Sequence, residues 1–175
     1  MGRICCFTGP RPKSLGGYTG PEAFRIKTVV RNVLCEEIGK AIEVGFDTFI
    51  SGGALGVDQW AAREVLLHRA FKPEIKLIIA RPFPSQPTAW PKQAQKEFSE
   101  IIDMANEVVD VCKDPYAPWK MQRRNEWMVD QSEFVMSVWL GIESGGTWNC
   151  IRYALAHKKQ VRVINPDTGG VSWYT

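Results

Sequence analysis

The chain is poor in the residues that carry demanding chemistry. It has two histidines, His68 and His157, and neither sits in a motif. Its five cysteines, Cys5, Cys6, Cys35, Cys112 and Cys150, include no Cys-x-x-Cys pair. An odd count among apolar neighbours predicts free, reduced thiols, and it leaves no ligand set for a structural metal. Cys5 and Cys6 fall inside an apolar run, which argues against a cysteine nucleophile. Charge of one sign is missing too: 22 basic residues against 19 acidic give a net +3. That balance argues against a nucleic-acid partner. No apolar run approaches the roughly 20 residues that span a bilayer, so no membrane association is expected. From Met1 the chain enters an apolar strand and then polar turn residues. This is not a signal peptide's layout and predicts a cytoplasmic protein. Repeats, low-complexity tracts and linkers are also missing. No heptad pattern marks an interface, so a homo-oligomer built on exposed aromatic or helical faces stays open.

What is present is an ordinary globular composition, 45% apolar and 23% charged over 175 residues. That is enough for one well-buried core and short for two, so residues 1–175 read as a single domain. Short apolar runs alternate with longer amphipathic segments. Strands are predicted at Arg3–Thr8, Phe46–Ile50, Ile75–Ala80, Glu107–Cys112, Phe134–Leu140 and Val161–Ile164. Between them lie helical stretches starting near Pro21, Val57, Lys92, Lys120 and Thr147, and the tail from Asn165 reads as turns. The first helix carries Phe24, Val30, Leu34, Ile38 and Ile42 at helical spacing. Nearly all-apolar strands alternating with helices predict an α/β fold. It should be Rossmann-like and doubly wound, with a mostly parallel sheet and helices on both faces.

In such a sheet ligands sit beyond the carboxyl ends of the strands, and three loops there carry suitable residues. Ser51-Gly52-Gly53-Ala54-Leu55-Gly56 runs from the second strand into a helix. Glycines let the backbone approach a ligand, and the helix start adds free N–H groups for an anion. Ser51 offers a hydroxyl, and Asp58 can accept a ribose hydroxyl or cap the loop. Ser144-Gly145-Gly146-Thr147 follows the fifth strand, with Thr147 suited to a helix N-cap. Thr8-Gly9-Pro10-Arg11 follows the first strand, with Arg11 as a guanidinium fork for phosphate. Each has a plain alternative, as a packing turn or a surface arginine. Arg123-Arg124-Asn125-Glu126-Trp127 joins basic and aromatic character, with Trp127 reading as core. Among the other tryptophans, Trp60 and Trp148 follow the two glycine loops and are the expected pocket members.

Taken together, Thr8-Gly-x-Arg11-Pro12, Ser51-Gly-Gly-Ala-Leu-Gly-Val-Asp58, Arg124-Asn125-x-x-Met128-Val129-Asp130 and Gly145-Gly146-Thr147 resemble the YpsA-like family of the SLOG superfamily. The resemblance runs from Arg3 to about Pro166. It implies a Rossmann-like fold and a small-molecule nucleotide ligand, with NAD- or ADP-ribose-type molecules leading. The implied ligand-binding residues are Thr8, Gly9, Arg11, Ser51, Gly52, Gly53, Ala54, Gly56, Asp58, Arg124, Asn125, Gly145, Gly146 and Thr147. The superfamily also includes the LOG phosphoribohydrolases and the DNA-processing protein DprA, so membership alone does not settle function.

LOG enzymes carry acidic residues in a Pro-Gly-Gly-x-Gly-Thr-x-x-Glu-like segment. Here Asn149 stands where an acid would be expected. An amide orients a sugar hydroxyl but is no general base. Binding without turnover is therefore the leading expectation, as sensing, regulation or sequestration. A nucleotide N-glycoside hydrolase is the alternative, with Glu143 or Asp58 as the acid. A DprA-like single-strand binder is a further one.

Overall fold

The computed structural model describes residues 2–174. Its strands are β1 (Arg3–Thr8), β2 (Phe46–Ser51), β3 (Lys76–Arg81), β4 (Glu107–Asp110), β5 (Phe134–Val138), β6 (Gln160–Ile164) and β7 (Val171–Tyr174). Its helices are α1 (Pro21–Glu43), α2 (Val57–Phe71), α3 (Lys92–Met104), α4 (Pro118–Gln131) and α5 (Gly145–Ala156). The strands form one sheet in the order β4-β3-β2-β1-β5-β6-β7, parallel except for the antiparallel β6–β7 pair. This is the Rossmann-like α/β architecture.

Alternation along each strand divides the core in two. Cys5, Phe7, Phe49, Leu77, Ile79 and Met136 face α1, α2 and α3, and the rings of Phe7 and Phe49 stack with centroids 6.0 Å apart. Cys6, Ile50, Ala80 and Val135 face α4 and α5, meeting Met128, Val129, Cys150 and Ile151. Burial on both sides is why these strands read as continuous apolar runs. Burial also pushes the Cys5 and Cys6 thiols upward, and that of Cys150 up to about 12, which leaves three unreactive sulfurs.

Strands β4 and β5 end two residues earlier than the sequence reading placed them, β3 is shifted by one, and three further details depart from that reading. The buried stripe of α1 is Ala23, Ile26, Val30, Leu34, Ile38 and Ala41, so Phe24 falls outside it and is 72% exposed. Helix α5 begins at Gly145, with Ser144 in the N-cap position, so Thr147 lies inside the first turn. The tail is more than turns. Asn165 Oδ1 accepts the Asp167 and Thr168 N–H groups, and the chain reverses to lay β7 against β6. No helix among the described residues is long and apolar enough to cross a membrane.

Candidate functional site

Strand order reverses at β1. Strands β2, β3 and β4 build outward on one side of it and β5, β6 and β7 on the other. At such a switch point the loops leaving neighbouring strands diverge and open a crevice. A cavity of about 630 Å³ occupies this crevice. Its walls come from the loop after β1 (Thr8, Gly9, Arg11), the segment after β5 (Trp139, Leu140, Ile142) and the start of α5 (Ser144–Thr147). Asp58 and Ala54, with Met121, Arg124 and Asn125 of α4, add to it, as do Lys13, Ser14 and Tyr18 in the stretch after β1.

Of the residues expected from sequence, Thr8, Gly9, Arg11, Ala54, Asp58, Arg124, Asn125, Gly145, Gly146 and Thr147 line this one cavity. Ser51, Gly52, Gly53 and Gly56 do not. Two of the glycine loop's N–H groups, those of Gly53 and Ala54, bond locally. The Gly53 N–H donates to Ser51 Oγ at 3.2 Å, and Ser51 Oγ donates to the Asp58 carbonyl at 2.6 Å. The Ala54 N–H donates to Asp58 Oδ2 at 3.3 Å, and Gln59 Nε2 donates to the Gly53 carbonyl at 3.1 Å. Gly53 and Gly56 hold φ of +66° and +97° and press against Phe98 and Pro12. At Gly52 the reason for glycine is space. A Cβ there would lie 1.6 Å from Arg124 Nη1 and 2.5 Å from Asp58 Oδ2. The loop is thus a frame that admits Arg124 and orients Asp58.

The cavity floor is polar yet buried. Thr8, Asp58, Arg124 and Asn125 each expose less than a tenth of their surface. Arg124 Nη1 meets Asp58 Oδ2 at 3.4 Å, with side-chain exposures of 6% and 8%. Arg124 Nε donates to Asn125 Oδ1 at 3.0 Å. Among the described residues nothing accepts from Arg124 Nη2 or Asn125 Nδ2, and nothing donates to Asp58 Oδ1. Buried guanidinium and carboxylate groups rarely leave bonding capacity unused. Burial pushes the Asp58 carboxyl above its ordinary range, against the pull of Arg124, the Ala54 N–H and Arg11. Ser137, paired in register with Thr8, keeps a buried hydroxyl with no partner among the described residues.

At the rim the first turn of α5 brings N–H groups without intrahelical partners and the positive end of the helix dipole. Arg11 and Lys13 join Arg124 as cationic lining residues, against Asp58 alone as an anion. Trp139 and the exposed Tyr18 are the aromatic lining residues, where Trp148 and Trp60 were expected. Trp148 packs behind Trp139, and Trp60 lines a separate cavity of about 350 Å³ with Phe24 and Lys27. Trp139 directly follows the carboxyl end of β5, which stops at Val138; the sequence reading carried that strand to Leu140 and so kept Trp139 inside it, out of reach of the strand-end rule. Trp127 is partly buried against the α4–α5 side of the core. Asn149 and Glu143 are not lining residues.

The family model YpsA, described as the YspA SLOG family, matches residues 5–168. The chain belongs to this family. A relative in Bacillus subtilis (strain 168), the uncharacterized SPbeta prophage-derived protein YoqJ, is 39% identical over 134 residues, covering 68% of this chain and 77% of YoqJ. A UPF0398 protein of Halalkalibacterium halodurans is 26% identical over 169 residues, covering 94% of this chain and 88% of its own length. Among solved structures, DNA processing protein A of Helicobacter pylori, described in its single-stranded DNA binding mode, matches with a TM-score of 0.61 at 22% identity over 93% of this chain. The Streptococcus pneumoniae DprA matches with a TM-score of 0.57 at 15% identity, again over 93%. This YpsA-family chain spans 65% and 50% of those two chains, and the likeness is one of fold.

Proposed function

We propose that this YpsA-family chain binds a nucleotide-derived, phosphate-bearing ligand, of the ADP-ribose or NAD type or a nucleotide signal. It would act to sense, regulate or sequester that ligand, with residues 1–175 working as one nucleotide-binding domain. The observation that carries the reading is the buried floor with unspent bonding capacity: Arg124 Nη2, Asn125 Nδ2 and Asp58 Oδ1 have no partner among the described residues and belong to lining residues. A ligand with both anionic oxygens and hydroxyl donors satisfies all three at once. Arg124 and Asn125 donate to it, and Asp58 accepts a sugar hydroxyl. Arg11, Lys13 and the first turn of α5 (Gly145, Gly146, Thr147) add positive potential for phosphate at the rim. Thr8 and Gly9 complete the wall. Ser51, Gly52, Gly53 and Gly56 act indirectly, by holding Asp58 and clearing space for Arg124.

The test begins with mass spectrometry of small molecules released on denaturing the purified protein, where a phosphorylated nucleoside derivative is expected. Arg11 is exposed, so Arg11→Ala should weaken calorimetric binding of that molecule about tenfold, the loss of one charge-assisted contact, and leave the unfolding midpoint unchanged. Unchanged affinity would remove Arg11 from the site.

A second reading, N-glycoside hydrolysis, is favoured by Asp58 being a carboxylate in the cavity wall. Binding without turnover stands ahead of it. Asp58 is engaged with Arg124, and the described lining holds no second carboxylate to complete an acid–base pair. Release of free base from nucleoside monophosphates, followed by chromatography, decides between the two. Salt-dependent binding of single-stranded oligonucleotides would instead favour a DprA-like role.

A further inference from the structure

Trp139 is held in the cavity wall by two aromatic neighbours and one hydrogen bond. Trp148 stacks on it with centroids 5.3 Å apart and planes at 11°, and Tyr174 of β7 meets it edge-on at 5.3 Å and 87°. Its indole Nε1 donates to the Ile142 carbonyl at 3.0 Å. That bond spends the only polar atom of the ring, so what Trp139 offers the cavity is apolar π surface, flanked by Leu140 and Ile142. The cavity therefore has two characters, a charged and hydrogen-bonding floor and an aromatic wall set in advance of any ligand. A ligand recognised by both halves carries an anionic, hydroxylated part and a planar aromatic part.

We propose that Trp139 is a base-stacking platform, making the site selective for intact nucleotides over sugar phosphates that lack a base. The inference rests on the nucleotide-binding reading above and narrows it. Because the ring presents no hydrogen-bonding atom, selectivity is for the presence and size of a base, with purines above pyrimidines. Pre-set packing from Trp148 and Tyr174 means little ordering is lost on binding, so the stacking contribution appears in the affinity.

The experiment is calorimetric titration of the full chain with AMP, ADP-ribose and ribose 5-phosphate at one ionic strength. The adenine-bearing probes should bind about tenfold or more tighter than ribose 5-phosphate, the scale of one base–aromatic stack. Trp139→Leu should bring them to within about twofold of ribose 5-phosphate while leaving the sugar phosphate's own affinity unchanged, and Trp139→Phe should keep most of the preference. Equal affinities on the wild type, or a preference that survives in Trp139→Leu, overturn the platform and leave nucleotide-site binding standing. If no probe binds the wild type, both readings fall. Should Trp139→Leu fail to fold, the wild-type ratio and the Trp139→Phe protein still decide.

Discussion

Two buried carboxylates, one at each edge of the sheet, show how differently the same chemistry is used. Glu37 lies near the end of α1, at the amino edge of the strands. Its Oε1 accepts from Lys40 Nζ at 2.8 Å and its Oε2 from Arg162 Nε at 2.7 Å. Burial works against its charge, but the bonds from Lys40 and Arg162 prevail and its pKa is lowered. Asp58 lies at the carboxyl edge, where one oxygen takes two long contacts of 3.3 and 3.4 Å and the other takes none. There burial prevails and the pKa is raised. Glu37 closes an electrostatic network and holds two elements together. Asp58, a cavity-lining residue, keeps one carboxylate oxygen with no donor among the described residues. The contrast separates a structural ion pair from a candidate binding group more sharply than burial does, since both residues are nearly inaccessible.

The most forceful way to break the contrast is Gly52→Ala. Its Cβ would fall on Arg124 Nη1, driving the guanidinium off Asp58 and leaving buried charge unpaired. A loss of about 3 kcal/mol is expected in urea unfolding. Gly146→Ala, at the exposed α5 start where a Cβ meets nothing within 4 Å, should stay within about 0.5 kcal/mol. Equal effects would mean that Gly52 is not there to admit Arg124.

Next in size is Arg124→Met, which strips Asp58 of its cation and should cost about 2–3 kcal/mol at neutral pH. Adding Asp58→Asn should restore most of that, because the carboxylate that needed the cation is gone. The double-mutant cycle measures the coupling, and additive losses would deny that the two residues work as a pair.

Glu37→Gln should cost less, about 1 kcal/mol, because Lys40 is half exposed and solvent screens its share. The pH profiles then run in opposite senses. Glu37, with its pKa lowered, contributes stability that is present above the ordinary carboxylate range and lost as pH falls through its folded value. Asp58, with its pKa raised, contributes stability that is present below the ordinary range and lost as pH rises through its folded value. Urea midpoints followed with pH should therefore show Glu37→Gln flattening the acid limb, and Asp58→Asn removing a decline toward neutrality. Matching profiles for the two variants would erase the distinction.

The parallel sheet was legible because strands buried on both faces must be apolar throughout, and glycine-bearing turns bounded them. Strand β7 was not, since Val171-Ser172-Trp173-Tyr174 is short and its pairing with β6 depends on the turn organised by Asn165. Most of the candidate wall was legible from the strand-end rule, including Arg11, Asp58 and Gly145–Thr147. The floor was only partly so. Arg124 and Asn125 stood out as residues, but their meeting with Asp58 is a contact across 66 positions, and no local pattern encodes it. The glycine loop shows the reverse case. Its composition suggested direct contact with an anion; in the structure two of its N–H groups bond locally, and its glycines also make room for side chains. Sequence shows that backbone must come close to something, but not to what.

Helix α4 returns from the sheet edge at β4 to the centre beside β1 before β5 is laid down, and it brings Arg124 to Asp58. The floor therefore belongs to neither half of the chain alone. A fragment ending at Cys112 would carry the glycine loop, Asp58, Arg11 and four of the strands, but only part of the cavity floor, without Arg124. The complementary fragment would carry Arg124, Trp139 and the α5 turn with nothing to seat them on. A ligand resting on that floor would act as a clasp between the halves, so fragment complementation driven by nucleotide would report assembly and binding in one signal.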